Sequence, residues 1–308
     1  MSAVLQALGT TVLDVMHDTT YRYASEVALA HHIAYLRPAE TLYQELDSFR
    51  LGIVPKPFVE RMGTDVFGNS RCYFSLDVPH ARLAVRAVSR VRVVPRYIDF
   101  EAASTFPWLD VVKCLSYRAG SHYESESEFA YPSPFIPRHR ELGLYAATSF
   151  TAGRTIAEGA IDLMRRVHRD FRYDADSTDI STPVLDAFNA KRGVCQDFAH
   201  VMIGGLRALG LAARYVSGYL LTQPPPGRPR LVGADASHAW ASVWCPRADA
   251  KSVWLDLDPT NDVVPGTSHV TLGVGRDFGD VSPLRGIIRG GGDHALTVGV
   301  TVRPVGEA

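Results

Sequence analysis

Residues 193–200 read Gly193-Val194-Cys195-Gln196-Asp197-Phe198-Ala199-His200, and they place a cysteine where a helix is predicted to begin. Downstream, apolar residues recur at helical spacing and stop before a glycine that suits a helix C-terminus. These residues are Ala199, Met202, Ile203, Leu206 and Leu209, followed by Gly210. A thiol at a helix N-terminus lies near the positive end of the helix dipole and near unpaired backbone N–H groups, which favour the reactive thiolate and can hold an oxyanion. Cys195 is therefore a candidate nucleophile, provided that a base lies close to it.

A base is available at His238, within the strand-like segment 235–244. A second strand-like segment, 252–260, contains Pro259, which ends the strand. If the two segments pair as a hairpin, the second can offer a carboxylate to His238. Asp258 is the preferred partner because it lies at the end of the strand, while Asp256 is the reserve and by default an exposed strand residue. In such a triad the cysteine attacks, the histidine moves protons and the aspartate orients the imidazole.

Three blocks, in this order, resemble the catalytic blocks of the transglutaminase-like superfamily: 193–197, His238-Ala239-Trp240 and Asp258-Pro259-Thr260. Segments 17–23 and 65–69 are similar to the N-terminal domain of the bacterial two-part members, and segment 274–286 is similar to their C-terminal segment. The resemblance implies an α+β fold with a papain-like core, in which the cysteine-bearing helix packs on an antiparallel sheet. It also implies Cys195 as nucleophile, His238 as general base and acid, and Asp258 as the orienting carboxylate.

The expected organisation is an N-terminal β-rich domain (1–115), a linker or covering loop (116–150) and the catalytic core (151–308). Segments 12–21, 28–37, 49–55, 70–78 and 83–94 are predicted strands, because β-branched and aromatic residues alternate between turn residues. Segment 155–169 has a helical apolar stripe, and Thr182-Pro183 begins a short helix through Ala190. The proline-rich segment 224–230 is interpreted as a surface loop, with an active-site lid as the alternative.

Five further residues are candidates for substrate contact or for support of the triad: Gln196, Asp197, Trp240, Arg276 and Asp277. A carboxylate at Asp197 favours the helix dipole in the first turn, although it can also bind a cationic substrate group. Arg276 and Asp277 are expected to pair with each other or to form a cleft wall. His200 lies more than one helical turn beyond Cys195 and is interpreted as a core histidine rather than the base.

Some relatives of this superfamily use an indole ahead of the nucleophile to complete the oxyanion hole. The tryptophan that precedes Cys195 in this chain is Trp108, far away in the sequence. The backbone N–H of Cys195 is therefore the first expected donor, and the second donor is left open.

The composition describes an ordinary globular chain of 308 residues, with 46% hydrophobic residues and a formal net charge of −1. No basic excess points to nucleic acid, and no long apolar run or secretory leader points to a membrane or to export, so a cytoplasmic location is expected. The four cysteines show no paired spacing, and Cys72 and Cys245 are interpreted as buried small hydrophobic residues. No cofactor and no metal are expected, and the oligomeric state is left open.

The leading functional hypothesis is hydrolysis of an amide or peptide bond through a thioester on Cys195, with a peptide or protein as substrate. Transfer of the acyl group to an amine is the alternative, since the two reactions differ only at deacylation. Hydrolysis is preferred because water is always present, whereas transfer needs a water-excluding acceptor site. A non-catalytic binding module and a zinc site formed by Cys195, His238 and Asp258 are weaker alternatives.

Overall fold

The computed structural model describes residues 9–120, 124–222, 237–247 and 252–306. The strands of the first sheet are β1 (Thr11–Ala34), β2 (Gln44–Val54), β3 (Val59–Thr64), β4 (Ser70–Leu76), β5 (His80–Val93), β12 (Leu284–Gly290) and β13 (His294–Pro304). The second sheet contains β8 (Ala213–Leu220), β9 (Ser237–Pro246), β10 (Ser252–Leu257) and β11 (His269–Gly275), and a small third sheet pairs β6 (Arg172–Tyr173) with β7 (Arg192–Gly193). The α-helices are α1 (Trp108–Leu115), α2 (Arg140–Ala147), α3 (Ile156–Asp170), α4 (Val184–Ala190), α5 (Cys195–Ala208) and α6 (Phe278–Val281). The predicted loop or lid at 224–230 lies outside the described residues.

The first sheet is antiparallel and is organised around β1. Its order is β2-β5-β1-β4-β3, and β12 and β13 also pair with β1. The predicted strands 12–21 and 28–37 form parts of this one strand, which bends at a register shift between Arg22 and Val27 instead of ending there. Strand β3 was not predicted because its side chains are mostly exposed and its sequence lacks apolar alternation.

The C-terminal residues differ from the expected domain boundaries. Residues 284–304 were assigned to the core at 151–308, whereas they form β12 and β13 of the first sheet. The physical reason is that β5 and β4 cover only one edge of β1, so its other edge is free to pair. Leu13 and Val15 of β1 share a buried cluster with Val300 and Val302 of β13.

The second sheet is antiparallel, with the order β10-β9-β8-β11, and carries the cysteine-bearing helix α5 on one face. Phe198, Met202 and Ile203 of α5 share a buried cluster with Ala241 of β9 and Leu257 of β10. The helix begins at Cys195, as the apolar spacing predicted, and the predicted C-terminal glycine Gly210 has a φ of 84°. The expected α+β core, with this helix packed on an antiparallel sheet, is confirmed.

The described part of segment 116–150 packs onto α5. Ile136, Leu142 and Ala146 lie in the same buried cluster as the apolar face of that helix. The segment therefore resembles the covering loop of the two expectations more than an open linker.

Polar side chains from the first sheet and its loops fasten it to β8 and β11. The Gln44 amide bonds both the N–H and the carbonyl of Thr271, each at 2.8 Å. The Asn69 side-chain amide likewise accepts from the Val274 N–H at 2.8 Å and donates to the Val274 carbonyl at 2.7 Å. His17 Nδ1 lies 2.9 Å from the hydroxyl of Tyr219. These contacts give a structural role to two segments that carry the N-terminal resemblance, 17–23 and 65–69.

Candidate catalytic site

The turn before α5 is shaped by Gly193 and Asp197. Asp197 Oδ2 accepts hydrogen bonds from the Val194 backbone N–H at 2.8 Å and from the Thr178 hydroxyl at 2.7 Å. A Cβ at position 193 would lie 2.4 Å from this oxygen, so only glycine leaves room for the carboxylate. The carboxyl is buried, and burial raises its pKa. Asp197 thus fixes the backbone that presents Cys195, which agrees with its predicted place in the first helical turn.

His238 and Asp258 meet as the predicted hairpin requires. Strands β9 and β10 pair antiparallel up to Ala241 and Leu257, and Asp258 follows directly. His238 Nε2 lies 2.7 Å from Asp258 Oδ2, and both side chains are buried. Burial by itself lowers the pKa of His238, but hydrogen bonds to Asp258 and Cys195 and the negative charge of both outweigh burial and raise it to about 10. The histidine is therefore held protonated at neutral pH.

Cys195 is also a hydrogen-bond partner of His238. Because Nε2 faces Asp258, Nδ1 is the nitrogen left for the thiol, and the hydrogen bond between the two side chains contributes to the raised pKa of His238. Cys195 is partly exposed, and its Sγ lies 3.9 Å from the Ser237 carbonyl oxygen. The three side chains predicted from separate sequence blocks are thus brought together.

Asp258 is held by more groups than the sequence predicted. His269 Nε2 lies 3.2 Å from Oδ2, and the Asn261 side-chain amide donates to the same oxygen at 2.7 Å. The backbone N–H groups of Thr260 and Asn261 donate to Oδ1 at 3.0 and 3.2 Å. Burial alone would raise the pKa of Asp258, but the bonds from His238 and His269 outweigh it and hold that pKa well below its usual range.

Neither His269 nor Asn261 is predicted from the sequence as part of the site. Asn261 follows Asp258 by three residues in Asp258-Pro259-Thr260-Asn261, a turn-forming pattern that could have suggested backbone bonds to the carboxylate. His269 begins β11, which is separated from β9 by β8. Only the strand order places it next to Asp258, so no local pattern could have found it.

Trp240 packs against the rings of His238 and His269. It is fully buried, and its ring lies edge-on to His269 at 5.3 Å and 6.1 Å from the ring of His238. A Cβ at Gly218 would lie 2.5 Å from the indole, so glycine there makes room for it. This placement favours packing support over substrate contact for Trp240.

The expected pair between Arg276 and Asp277 is wrong. Arg276 donates instead to Asp280, from Nε at 2.9 Å and from Nη2 at 3.0 Å. Asp277 is buried and accepts from the backbone N–H groups of Gly279 and Phe135, at 2.9 and 3.0 Å. A carboxylate at Asp277 caps α6 and ties down the covering segment, so neither bond serves a substrate.

The default interpretation of Asp256 as an exposed residue is also wrong. Asp256 is buried and forms an ion pair with Arg96, which the chain supplies just after β5. Gln196 is buried as well, and its side-chain amide donates to the Ile180 carbonyl at 3.3 Å. Both side chains therefore have protein partners.

Two residues considered for other roles are engaged in packing. The Trp108 indole N–H donates to the Thr151 carbonyl at 3.0 Å, so it is not free to donate to an oxyanion at Cys195. His200 is buried, its Nε2 accepts from the Phe278 N–H at 3.2 Å, and burial lowers its pKa to about 3. The prediction of His200 as a core histidine is confirmed, and the Cys195 N–H remains the candidate oxyanion donor.

The four cysteines are all free, and they differ in exposure. Cys72 and Cys245 are buried, which confirms their interpretation as small hydrophobic residues, and burial raises the pKa of Cys72 to about 11. Cys114 is exposed, so it offers a natural reference for the reactivity of Cys195.

The ligand atoms of His238, Asp258 and His269 lie within 4.8 Å of one another, close enough to be considered as a cation site. Two ligands of a tetrahedral zinc, each bonded at about 2.0–2.1 Å, lie about 3.3 Å apart. The 2.7 Å between His238 and Asp258 is shorter and matches a direct hydrogen bond. The geometry of His238, Asp258 and His269 therefore fits hydrogen bonds between the side chains better than coordination of a zinc ion.

In the described part of the chain, no helix is long and apolar enough to cross a bilayer.

The family assignment follows from the whole chain and from the segment that contains the site. Residues 13–92 match the bacterial transglutaminase-like N-terminal region, and residues 145–259 match the transglutaminase-like superfamily. An uncharacterized protein of Mycobacterium tuberculosis is 40% identical over 311 residues, which cover 98% of this chain and 96% of the relative. The chain belongs to the transglutaminase-like superfamily. The superfamily match includes Cys195, His238 and Asp258, and membership supports a cysteine-type enzyme.

Two further comparisons concern the fold and one part of the sequence. A crystal structure from Cytophaga hutchinsonii, described as that of a candidate cysteine protease, has a TM-score of 0.73 at 18% identity and covers 97% of this chain and 92% of its own. It shares the fold of this transglutaminase-like chain. A protein-glutamine gamma-glutamyltransferase of Pseudomonas aeruginosa is 32% identical over 133 residues, which are 40% of this chain and 19% of that protein.

Proposed function

We propose that this transglutaminase-like protein is a cysteine-dependent hydrolase of amide or peptide bonds. The observation that carries the proposal is the position of His238 between Cys195 and Asp258, with its pKa raised to about 10. A protonated imidazole beside the thiol stabilises thiolate, the nucleophilic form of cysteine. The substrate is a peptide or a protein.

Acylation begins when Cys195 Sγ attacks the carbonyl carbon of the substrate. The oxyanion that forms is held by the Cys195 backbone N–H at the start of α5, where the helix dipole adds positive potential. As the carbon–nitrogen bond breaks, His238 gives its proton to the departing amine, and a thioester remains on Cys195.

Deacylation uses the same histidine in the opposite direction. His238, now neutral, takes a proton from water, and the hydroxyl oxygen attacks the thioester carbonyl. The carbon–sulfur bond breaks, the free acid leaves, and the thiolate and imidazolium are restored. Asp258 keeps the ring oriented with Nε2 toward the carboxylate and Nδ1 toward sulfur throughout.

Acyl transfer to an amine is the second candidate function. It is favoured by the partial match to the Pseudomonas aeruginosa protein-glutamine gamma-glutamyltransferase, which covers 40% of this chain. In that reaction a primary amine replaces water, gives its proton to His238 and ends in a new amide. A non-catalytic binding module has less support because it gives no reason for a complete set of Cys195, His238 and Asp258.

The test is to incubate the protein with a glutamine-containing peptide and a labelled primary amine, and to analyse the products by mass spectrometry. Free acid without amine adduct supports hydrolysis, and a covalent amine–peptide adduct supports transfer. Cys195→Ala should abolish either product, whereas Cys114→Ala, at an exposed cysteine away from α5, should not. Absence of both products across a peptide panel, together with an unreactive Cys195, would favour the binding module.

A further inference from the structure

A second candidate site lies where the first sheet meets the second. A half-open cavity of about 400 Å³ is lined by Tyr43, Phe67 and Tyr97 on the N-terminal side and by Arg214 and Trp254 of the second sheet. None of the triad residues lines it. Arg214 pairs with Ser242 of β9, which is four residues beyond His238 and thus roughly 13 Å from it along the strand.

One guanidinium of this cavity, that of Arg214, makes no hydrogen bond to the described residues. Arg96 also lines the cavity, but it is neutralised by Asp256, and its Nη2 donates to the His269 carbonyl at 3.1 Å and to the Thr271 hydroxyl at 3.2 Å. Among the described residues, Arg214 makes no hydrogen bond and no ion pair within 4 Å, and its Nε is buried and unpaired. A second carboxylate of the lining, Glu40, is paired with Arg37 at 2.8 Å.

Arg214 is partly buried, and its Nε is shielded from water without gaining an acceptor, which is costly. The guanidinium carbon lies 4.2 Å from the centre of the Trp254 ring, and the negative charge of Asp256 is near enough to favour the charged form of Arg214. Stacking on a ring leaves the N–H groups at the edge of a guanidinium free, and that edge matches a carboxylate in two parallel bonds. Burial lowers the pKa of Arg214 but leaves it charged at neutral pH.

The walls of the cavity are aromatic and rigid. Tyr43 and Tyr97 lie with ring centroids 5.5 Å apart. Tyr97 has a φ of 58°, which is strained for a bulky residue, and its hydroxyl is fixed by bonds to the Trp254 carbonyl at 2.7 Å and the Asp256 N–H at 2.9 Å. Such backbone strain persists where the surroundings fix it, as in ligand clamps.

We propose that this cavity binds a small molecule in which a carboxylate is attached to a flat apolar group, with Arg214 as the anchor of the carboxylate. The flat group lies among Tyr43, Tyr97 and Phe67, and the volume is within the range of small-ligand pockets. The site is separate from the triad, so its ligand binds whether or not Cys195 is active.

The test is isothermal titration calorimetry of the full chain with N-acetylphenylalanine, with its neutral amide, and with inorganic phosphate. Because one charge-assisted pair is at stake, we expect the acid to bind roughly tenfold or more tightly than the amide, and phosphate to bind more weakly than the acid. Arg214→Met should abolish the preference for the acid, and Arg214→Lys, which keeps the charge but not the planar edge, should reduce it. Arg289→Met, at an exposed residue of β12, and Cys195→Ala should leave it unchanged.

Equal binding of acid and amide by the wild-type protein would overturn the proposal without any variant, as would no binding of the acid. Phosphate binding as tight as the acid would replace it with a general anion site. If Arg214→Met does not fold, as judged by circular dichroism, Arg214→Lys and the wild-type comparison still decide. A peptide with C-terminal phenylalanine, compared with the free N-acetyl derivative, shows whether the ligand is a chain end or a free small molecule.

Discussion

Two charged side chains of the second sheet differ in how completely the protein pairs them. At the end near α5, Asp258 accepts hydrogen bonds from both His238 and His269, from the side chain of Asn261 and from two backbone N–H groups. In the middle of the same sheet, the guanidinium of Arg214 has no described acceptor. Full pairing of Asp258 fixes one proton between known atoms, which acid–base chemistry requires, whereas a guanidinium without a protein acceptor in a half-open cavity is free to bond a ligand.

The largest expected effect is the loss of turnover in His238→Ala. The variant lacks the group that carries protons and pairs with the thiol, so we expect kcat/KM to fall by about 10²–10⁴. His294→Ala, at an exposed histidine of β13, is the matched control and should retain turnover. A near-normal kcat/KM in the His238 variant would show that His238 and its partner Asp258 do not take part in catalysis.

The next largest effect is on stability, in Arg96→Met. This change leaves Asp256 buried without its partner, and breaking a buried ion pair from one side costs about 3–5 kcal/mol of unfolding free energy. The measurement is urea unfolding followed by circular dichroism. A loss below about 1 kcal/mol would mean that the pair is well solvated and that the cavity floor is not as dry as its burial indicates.

Asp258→Asn tests the electrostatic part of the triad through pH. Removing the carboxylate removes the bond and the charge that raise the pKa of His238, so the alkaline limb of kcat/KM should move from about pH 10 toward 6.5. Turnover near neutral pH should fall about 100-fold because the imidazole is less often protonated and less well oriented. An unchanged alkaline limb would contradict the assignment of that limb to His238.

The shifted pKa values of His238 and Asp258 also predict how the stability of the folded protein depends on pH. A group whose folded pKa is raised stabilises the folded state below its unfolded value of about 6.5, and the contribution of His238 is lost as the pH rises through about 10. Asp258, whose folded pKa is lowered, has the opposite sign, and its contribution is lost in acid.

A smaller effect is expected for His269→Gln. Glutamine can still donate to Asp258, but it is less rigid, and the loss of one of several donors should lower kcat/KM about tenfold, or ~1.4 kcal/mol. Because His269 and His238 contact the same oxygen of Asp258, the alkaline limb should also move, which a general loss of packing would not produce. A stability loss with an unchanged pH profile would make the role purely structural.

The smallest effect is expected for the unfolding free energy of Arg214→Met without ligand. Since the guanidinium has no acceptor to lose, the change should lie within about 1 kcal/mol of zero or be stabilising. Compared with Arg96→Met in the same urea assay, this variant separates a paired arginine from an unpaired one in a single cavity. A loss as large as that of Arg96→Met would reveal a partner for Arg214.

The sequence predicted those parts of the fold that have local patterns. Helical spacing located α5 and its first residue Cys195, and strand alternation with a proline stop located β9, β10 and Asp258. Gly193 and Asp197 were both noted in the sequence, but their contact was not predicted. The Asp197 carboxylate occupies the space that a Cβ at position 193 would take, which only the structure shows. The hairpin pattern predicted the contact of His238 with Asp258, whereas the approach of Cys195 to His238 was implied by the resemblance to the superfamily.

What the sequence did not predict depends on contacts between distant segments. His269 reaches Asp258 only through the strand order, and Arg96 reaches Asp256 only because the two sheets meet. The residues of β12 and β13 follow the core in the chain and were therefore expected to belong to it. They pair instead with β1, which lies at the opposite end of the chain. A cavity between segments far apart in sequence has no sequence pattern of its own.

The central claim, that His238 activates Cys195, is tested most directly by the rate at which iodoacetamide alkylates each cysteine between pH 5 and 9, followed by mass spectrometry. We expect Cys195 to be modified much faster than the exposed Cys114 below pH 8.5, the ordinary thiol value, and His238→Ala to abolish this advantage. Equal rates for Cys195 and Cys114 in the wild-type protein, unchanged in the variant, would contradict it.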